Sequence, residues 1–438
     1  MRTLTLLLIS ISSVLSLLGQ DTTTVITLSD ALSTALEKNY NIRMARNDVV
    51  IANNNNTLGN AGFLPQLTAT GNYARSSQNT EQTFASGDTQ SRTGAVRKNY
   101  GGSVNMNWTL FDGTQMFATL DRLEQQAQLV GHELKIEVDN SISQLMVNFY
   151  QIAFEDARVD LLESNIEFSL ERLRIVEEKY NLGKESKMSK LQAQVDYNSD
   201  KFLLLRQKEL LTSIKLQLLN QMGVDPMDFD VSYTFEIDSS LLVDELLSSA
   251  TTQNPLILAQ TTNQRVLQTQ MLEIDRSKWP ELGFNVGYGY TNLESESGFI
   301  ALNQTYDFRY GLSINFDIFN GFTQRRQFQN SQVLMETGKI QMEQAEKQIE
   351  TSILTTYTSY SNNLQLAQLE QQNLAVAKEN SEIALERFKL GASNALELRE
   401  AQTNSITAQI RYLQALFDAK VAEIELNRLA GRLTLVYR

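Results

Sequence analysis

Residue types that commonly catalyse reactions or bind metals are scarce in this chain of 438 residues. His132 is the only histidine, and the sequence contains no cysteine. Zinc and redox sites are built largely from these two residue types, so the sequence offers little material for either kind of site. His132 lies within the helical pattern LVGHELKIE, which is typical of a surface or interface histidine. We therefore predict neither a bound metal nor a cofactor.

The acidic residues are numerous but dispersed. The chain has 51 Asp and Glu residues against 38 Lys and Arg residues, which gives a formal net charge of −13. The carboxylates are spread along helical repeats, and the sequence contains no recognisable nucleotide-binding loop or catalytic triad. An acidic balance also disfavours nucleic acid as a partner. The sequence thus predicts a protein that is not an enzyme and binds no nucleic acid.

The first 20 residues follow the pattern of a secretory signal peptide. The basic start, Met1 and Arg2, precedes an apolar run over residues 4–18, after which the chain becomes polar. A membrane-spanning helix needs about 20 apolar residues, and this run is shorter. We predict that residues 1–20 are a signal peptide; an uncleaved anchor is the alternative.

The remaining sequence repeats itself at a fixed offset. Gly113 recurs as Gly321, 208 positions later (321 − 113), and the same offset relates Gly183 to Gly391 and Gly223 to Gly431. The residues around the glycines match as well, NWTLFDGT with NFDIFNGFT and EKYNLG with ERFKLG. A duplicated unit is the simplest explanation. We predict a first repeat over residues 21–223, a linker over residues 224–240 and a second repeat over residues 241–438.

Each repeat contains two segments in which every second residue is apolar. The clearest stripe consists of Tyr306, Phe308, Tyr310, Leu312, Ile314, Phe316 and Ile318. Similar stripes cover residues 67–73, 100–110 and 282–290, and the polar stretches at 76–97 and 292–304 are predicted to be loops. One apolar face and one small polar face suit a barrel strand between lipid and a water-filled lumen. A half-buried soluble sheet has the same period and is the alternative.

Long helices are predicted to follow the strands. No proline occurs between Gly113 and Gly183 or between Gly321 and Gly391. Each span fits one helix of roughly 70 residues, about 100 Å long, followed by a return helix of roughly 40 residues. Apolar residues recur every seven positions, which indicates a coiled-coil seam. The seam consists of Val138, Leu145, Ile152, Val159, Ile166, Leu173 and Tyr180 in the first repeat, and of Ile353, Tyr360, Ala367, Leu374 and Phe388 in the second, where Ser381 breaks it.

The duplicated layout, the strand-to-helix turns at Gly113 and Gly321, and the aromatic-x-x-Gly segments YNLG and FKLG together resemble the TolC family of outer-membrane efflux proteins. The resemblance covers essentially the whole mature chain. It implies an α+β membrane protein and a homotrimer, in which each chain gives four strands to an outer-membrane β-barrel that continues as a long periplasmic α-helical coiled-coil tunnel. It also implies a passive exit duct that works with a periplasmic adaptor protein and an inner-membrane RND or ABC pump. A general diffusion porin and a structural envelope spacer are the alternatives.

The resemblance also implies site residues. The family's periplasmic gate consists of acidic residues six and nine positions after the second tip glycine, here Glu397 and Glu400. Their spacing puts both on one helix face, and three copies would form acidic rings that attract cations; solvated helix residues beside Arg399 are the alternative. The helix-turn tips, where the family's adaptor docks, correspond to Tyr180, Gly183, Lys184, Lys187, Lys190, Phe388, Gly391 and Ser393.

The family's latch on the closed tip cannot be transferred, because Phe388 and Ser393 stand where the family has a tyrosine and an arginine. The lysines of the first turn face a turn that carries Glu397 and Glu400. We therefore predict a Lys–Glu latch at the tip, formed by Lys184, Lys187 and Lys190.

Overall fold

The structure, a computed structural model, describes residues 24–232 and 235–433, and the predicted signal peptide lies outside this part of the chain. The helices and strands are β1 (Thr24–Ile26), α1 (Leu28–Lys38), α2 (Tyr40–Asn55), β2 (Gln66–Thr83), β3 (Thr89–Phe111), α3 (Gln115–Asn181), α4 (Lys187–Met222), β4 (Phe229–Val231), α5 (Val243–Gln253), α6 (Pro255–Arg276), β5 (Glu281–Ser295), β6 (Leu302–Asn315), α7 (Thr323–Lys389) and α8 (Ala395–Leu429). Apart from the short strands β1 and β4, the same order of elements occurs twice.

The chain divides into two compact units. Unit 1 comprises the described residues of 24–38, 144–236 and 366–417, and unit 2 comprises those of 39–143, 237–365 and 418–433. These units differ from the two predicted repeats, because α3, α7 and α8 each contribute residues to both units.

Unit 2 contains a four-stranded antiparallel sheet in the order β2-β3-β5-β6. Pro65 and Pro280 are expected to open strands, because proline suits the start of a strand, and they directly precede β2 and β5. The register places Val104 opposite Tyr288 and Tyr288 opposite Phe308, so one apolar face runs across three strands. On β6 the predicted stripe is largely exposed at Tyr306, Phe308, Tyr310, Leu312 and Ile314.

The opposite face of this sheet is small and polar. Ser103 lies opposite Gly289, and Gly289 lies opposite Asp307. A Cβ on Gly289 would lie 2.8 Å from the Asp307 Oδ1 atom, and one on Gly287 would lie 2.7 Å from Asn105 Oδ1. The glycines of β5 therefore leave room for polar side chains that lean over from the neighbouring strands.

The predicted loops at residues 76–97 and 292–304 are wrong over most of their length. β2 continues to Thr83 and β3 begins at Thr89, while β5 continues to Ser295 and β6 begins at Leu302. These polar stretches pair although they lack an apolar stripe, because strand formation requires paired neighbours rather than an apolar face. The stripe of β6 also ends earlier than predicted, at Asn315, so Phe316 and Ile318 follow the strand.

The long helices are confirmed. α3 and α7 have 67 residues each, and the return helices α4 and α8 have 36 and 35. In unit 1 the predicted seam is buried at Leu145, Ile152 and Leu173 of α3. Ser381, which was expected to break the seam of α7, is buried between Ala367 and Phe388 at the same heptad position. The seam thus continues through a polar residue.

Both strand-to-helix turns in unit 2 use two successive left-handed residues. Gly113 and Thr114 have φ of 74° and 71°, and Gly321 and Phe322 have φ of 62° and 61°. At Gly113 the backbone also approaches Trp279, whose Cβ would lie 2.4 Å from an added Cβ. Glycine is therefore required at Gly113 both by the dihedral angle and by the space available.

The first helix of each half is divided in two. The apolar residues Ala35, Ile42 and Val49 predict one continuous first helix. Asn39 instead caps α2 by accepting hydrogen bonds from the amides of Asn41 and Ile42, so the helix is broken there. In the second half the sequence predicts a helix that begins near Leu242 and is interrupted at Pro255, and the division does occur there.

The sequence also suggests Ser29 as the N-cap of the first helix, because serine favours this position, but that prediction is wrong. Thr27 and Asp30 instead form a reciprocal cap in which each side chain accepts from the other's amide, which satisfies two of the free amides at the helix start.

The predicted linker, residues 224–240, contains β4, which pairs in parallel with β1 in unit 1. Within this linker the sequence suggests a strand at residues 231–237, of which residues 233–234 lie outside the described part. β4 begins earlier, at Phe229, and ends at Val231. None of the helices in the described residues combines the length and the apolar character needed to cross a membrane.

Candidate functional site

Two turns in unit 1 join the long helices to the return helices. Gly183 and Gly391 have φ of 71° and 77°, in the left-handed region that glycine adopts without a Cβ penalty. In each turn the residue after the glycine donates its amide hydrogen to the carbonyl five positions earlier, Lys184 to Lys179 and Ala392 to Arg387. Both long helices therefore end in the same Schellman motif.

The ends of α3 and α7 meet at these turns. The Lys179 Nζ atom donates a hydrogen bond of 2.6 Å to the Phe388 carbonyl and lies 4.0 Å from the centre of the Phe388 ring. The ring is fully buried, and a cation over an aromatic face is attracted by its quadrupole. This contact holds the two turns at one level, at the same end of unit 1.

Side-chain caps start the two return helices. Ser186 accepts a hydrogen bond from the Ser189 amide at the start of α4, and Asn394 accepts one from the Glu397 amide at the start of α8. Glu397 is thus the third residue of α8, where a carboxylate interacts favourably with the helix dipole. It also forms an ion pair of 2.8 Å with Arg387. Glu397 therefore has a structural role within one chain.

The other predicted gate residue, Glu400, differs from Glu397. Its side chain is exposed on α8, and it forms no ion pair with the described residues of this chain. Ser393 lies half-buried in the second turn, whereas Lys184 and Lys187 are exposed around the first. The assignment of the gate and of the docking residues remains a prediction.

The predicted Lys–Glu latch does not form within the described residues of one chain, and it stays a prediction. Lys190 forms an ion pair of 2.9 Å with Glu177 on α3 and lies 5.7 Å from the centre of the Tyr180 ring. Among the described residues, none of the three lysines pairs with Glu397 or Glu400. Lys190 and Glu397, two members of the expected latch, are instead paired with residues of the long helices.

A buried polar cluster lies further along unit 1, and its centre is Asp200 of α4, which is 2% exposed. Arg399 of α8 donates two hydrogen bonds to its carboxylate, of 2.7 and 2.9 Å, and the Ser169 hydroxyl donates a third. Gln402 donates to Ser169 and to Asn165, so the polar contacts continue along α3. Burial alone would raise the pKa of Asp200, but the hydrogen bonds from Arg399 and Ser169 outweigh it and lower the pKa below its ordinary value.

A second ion pair of this cluster lies one turn earlier on the same face of α4. Arg172 of α3, almost fully buried, donates a hydrogen bond of 2.6 Å to Asp196, one helical turn before Asp200. Burial lowers the pKa of Arg172, and Asp196 offsets that effect only in part. α4 therefore supplies two acids, and α3 and α8 each supply one arginine. The result is a clamp of paired charges across three helices.

Sequence reasoning missed this cluster, although a signal was present. Ala193, Asp200, Gln207 and Ile214 recur every seven residues along α4 and are all buried, so two polar residues occupy positions of an inner seam. Polar residues at core positions are expected to have partners. The predicted seams ran along α3 and α7 only, and Arg399 was expected only as a neighbour of solvated glutamates.

A groove of about 640 Å³ lies beside the clamp in unit 1. Asp200 and Arg399 line one part of it, and Leu203, Leu210 and Ile410 line another. In the described part of the chain, no group of three or more His, Cys, Asp or Glu side chains is arranged to hold a metal ion.

Unit 2 contains a buried carboxylate, Asp139 on α3, whose pKa is shifted in the opposite direction. It is 8% exposed, and burial raises its pKa to about 6 although Arg428 and Lys135 lower it. Arg428 directs its hydrogen bonds to Glu425 and Asn140. The Arg428 guanidinium therefore donates its hydrogen bonds to residues other than Asp139.

Comparisons with known proteins agree on one family. The sequence profile described as "Outer membrane efflux protein" matches residues 31–224 and 246–432. The outer membrane efflux protein BepC of Brucella suis biovar 1 (strain 1330) is 21% identical over 421 residues, which are 93% of this chain and 86% of BepC.

Solved structures show the same fold at low identity. The CmeC outer membrane channel of Campylobacter jejuni superposes with a TM-score of 0.76 at 14% identity, covering 93% of this chain and 86% of CmeC. The MtrE outer membrane channel of Neisseria gonorrhoeae, in its open state, gives 0.72 at 17% identity, covering 93% and 89%.

Proposed function

We propose, because this chain belongs to the outer membrane efflux protein family, that it forms the exit duct of a tripartite efflux or type I secretion system. The family predicted from the sequence is confirmed. The protein resides in the outer membrane, with its helical tunnel part in the periplasm, and its family consists of efflux channels rather than enzymes. The proposal concerns its assembly, its gate and its partners.

The observation that carries the proposal is the open sheet of unit 2. β2 and β6 are its edge strands. Among the described residues β2 pairs only with β3, and β6 pairs only with β5. One face is apolar and exposed, and the other is small and polar. Open edges are not tolerated in lipid, because their backbone groups would lack hydrogen bonds. Three copies contributing four strands each would close a barrel with the apolar face towards lipid and the polar face towards the lumen.

The proposed gate consists of the acidic residues at the start of α8. Three copies of Glu400, which is exposed and unpaired within the described chain, form a ring that attracts cations. Glu397 contributes less free charge, because Arg387 pairs with it. We assign most of the cation attraction to Glu400.

Partners on the periplasmic side complete the proposed duct. The two turns expose apolar side chains, Leu182 beside Gly183 and Leu396 at the start of α8. Together with Lys184 and Lys187 they offer a surface for the tips of a helical adaptor protein. An inner-membrane RND or ABC pump would supply the energy and select the substrate, while this chain conducts passively.

Single-channel recording in a planar bilayer tests this function. The wild-type protein is expected to conduct, and divalent cations added on the side of the helix tips are expected to block it. Glu400→Gln should raise the blocking concentration about tenfold, which corresponds to ~1.4 kcal/mol of lost attraction. The matched control is Glu382→Gln, an exposed glutamate on α7 outside the proposed gate, which should leave the block unchanged.

The other outcomes each contradict the proposal. A large, steady conductance insensitive to divalent cations would indicate a porin-like pore. No conductance at all would favour a structural spacer in the envelope. If Glu400→Gln and Glu382→Gln changed the block by divalent cations equally, Glu400 would not be part of the gate.

A further inference from the structure

Four helices of unit 2 meet around a pocket that the proposed function does not use. α3 lines it with residues between 136 and 140, and the start of α6 lines it with residues 254–256. α7 contributes residues between 348 and 352, and α8 contributes residues between 425 and 429. The pocket has a volume of about 240 Å³. This volume greatly exceeds what one water molecule needs, so the pocket has room for a small organic molecule.

The carboxylate of Asp139 lines this pocket and lacks a partner. Its side chain is 8% exposed, and among the described residues it accepts no hydrogen bond and forms no ion pair. Buried polar groups in folded proteins nearly always have a partner, and a buried carboxylate without one is costly. Asp139 therefore marks a place where a hydrogen-bond donor from outside the chain would be bound favourably.

The other charged groups around the pocket leave the charge of Asp139 uncompensated. The Arg428 guanidinium donates two hydrogen bonds to the Glu425 carboxylate and a third to Asn140, so these two opposite charges neutralise each other. The lining residues of α6 and α7 are uncharged. Lys135, one turn before Asp139 on α3, is exposed to solvent, which screens its attraction. The ionised pocket therefore carries one net negative charge.

The remaining walls of the pocket suit a short alkyl chain with one polar end. Ile136, Leu256 and Ile349 supply aliphatic surface from three helices, and Ser352 supplies a hydroxyl group that can accept a hydrogen bond. An open groove of about 720 Å³ along α7 shares Ser352 and Glu425 with the pocket. A ligand can therefore enter the pocket through this groove from the surface of unit 2.

We propose that this pocket binds a primary ammonium group on a short alkyl chain, with Asp139 as its counter-ion. An ammonium group has one positive charge and three N–H donors, which match the unpaired carboxylate and the neutral oxygen atoms beside it. The alkyl chain is buried against the aliphatic wall, where removal from water stabilises it. A metal ion fits less well, because the described residues offer no group of three or more acidic, histidine or cysteine side chains arranged to hold one.

Protons and the ammonium group compete for Asp139. Burial raises the pKa of Asp139 to about 6, although Arg428 and Lys135 lower it. Well below this pH the carboxyl group is neutral and offers no charge, whereas at pH 7.5 it is an anion. Amine binding should therefore be about tenfold weaker at pH 5 than at pH 7.5, because only about a tenth of the empty pockets then carry the anion.

Thermal unfolding of the detergent-solubilised protein in a phosphate buffer free of amines tests the site. At pH 7.5, n-butylammonium chloride at ten times its Kd should raise the unfolding temperature by roughly 2 °C over sodium chloride at the same ionic strength. Tetramethylammonium chloride has the charge but no N–H donor, and 1-butanol has the chain but no charge. Neither compound should reproduce the rise.

Two variants locate the effect on the chain. Asp139→Asn removes the charge, nearly keeps the shape of the side chain, and should abolish the rise. The matched control is Asp121→Asn, which changes an exposed acid of α3 in unit 2 that is not part of the pocket lining, and it should leave the rise intact. The comparison of pH 5 with pH 7.5 uses the wild type alone, so it tests the site even if Asp139→Asn does not fold.

Several results would overturn the inference. These are an absence of the rise in the wild type, an equal rise with tetramethylammonium, an unchanged rise in Asp139→Asn, or equal affinity at pH 5 and pH 7.5. All of these measurements follow unfolding rather than conduction, which separates this inference from the proposed function. A conducting protein without the rise refutes the amine pocket alone, whereas the rise without conductance refutes the duct alone.

Discussion

Asp200 in unit 1 and Asp139 in unit 2 are both almost completely buried on helices of similar amphipathic character, yet their carboxyl groups behave in opposite ways. The pKa of Asp200 lies below its ordinary value, and that of Asp139 is raised to about 6. Burial penalises the charged form in both cases. The difference therefore comes from the partners.

The partners differ in number as well as in geometry, since Asp200 also accepts a hydrogen bond from Ser169. Arg399 presents both terminal nitrogens to Asp200, whereas Arg428 beside Asp139 is held by Glu425 and Asn140. A planar guanidinium matches a carboxylate only when both N–H groups point at it. The surroundings thus favour the anion of the buried acid in unit 1 and disfavour it in unit 2, where the proton is kept up to about pH 6.

The largest expected effect comes from removing the partner of Asp200. Arg399→Met leaves a buried carboxylate unpaired and should lower the free energy of unfolding by about 3–5 kcal/mol. Thermal unfolding of the solubilised protein, followed by circular dichroism, measures this. The double variant Arg399→Met/Asp200→Leu should recover most of the loss. If both variants are equally unstable, the pairing is not what holds Asp200.

The second effect concerns the pH dependence due to Asp139. The folded chain keeps its proton up to about pH 6, whereas the unfolded chain loses it near the ordinary value of 3.8. Stability therefore falls as the pH rises from about 4 to about 6, by ~3 kcal/mol at most. Asp139→Asn should be more stable than the wild type at pH 7.5 and equally stable at pH 4. A difference that is the same at both pH values would contradict the raised pKa.

The smallest effect is expected from breaking the partly exposed ion pair between Lys190 and Glu177. Glu177 pairs with Lys190 near the tip, where solvent screens the charges, so Lys190→Gln should change the unfolding free energy by less than ~1 kcal/mol. The resting single-channel conductance should also stay unchanged, since this lysine does not contact Glu397 or Glu400. An increased conductance would support a Lys–Glu latch between copies of the chain.

The elements that follow from local periodicity could be predicted from the sequence. The heptads of α3 and the alternation of β6 each follow from neighbouring residues, and Gly113 and Gly391 mark where such patterns stop. The outer part of the β2–β3 hairpin could not be predicted, because its polar residues pair without any contrast between the two faces. Strand pairing there depends on a neighbouring strand that periodicity does not reveal.

The candidate site was predictable only in part. The capping arrangement of Asn394 and Glu397 is readable from the sequence, because asparagine favours the N-cap and its partner is three residues on. The contact between Asp200 and Arg399 joins residues 199 positions apart and requires knowledge of which helices are neighbours. The buried Gln207 and Asp200 at core positions signal that partners exist without identifying them.

The two strand-to-helix turns differ in the residue that follows the glycine. Thr114 and Phe322 have no chemistry in common, yet both adopt a left-handed backbone with φ of 71° and 61°. A non-glycine residue costs on the order of 1–3 kcal/mol in such a conformation, and the strand and helix on either side must hold it in place. The two halves of the chain thus share a backbone path at this position, although the residue after the glycine differs between them. Diverged copies of the junction would be recognised by dihedral angles after their sequences had ceased to match.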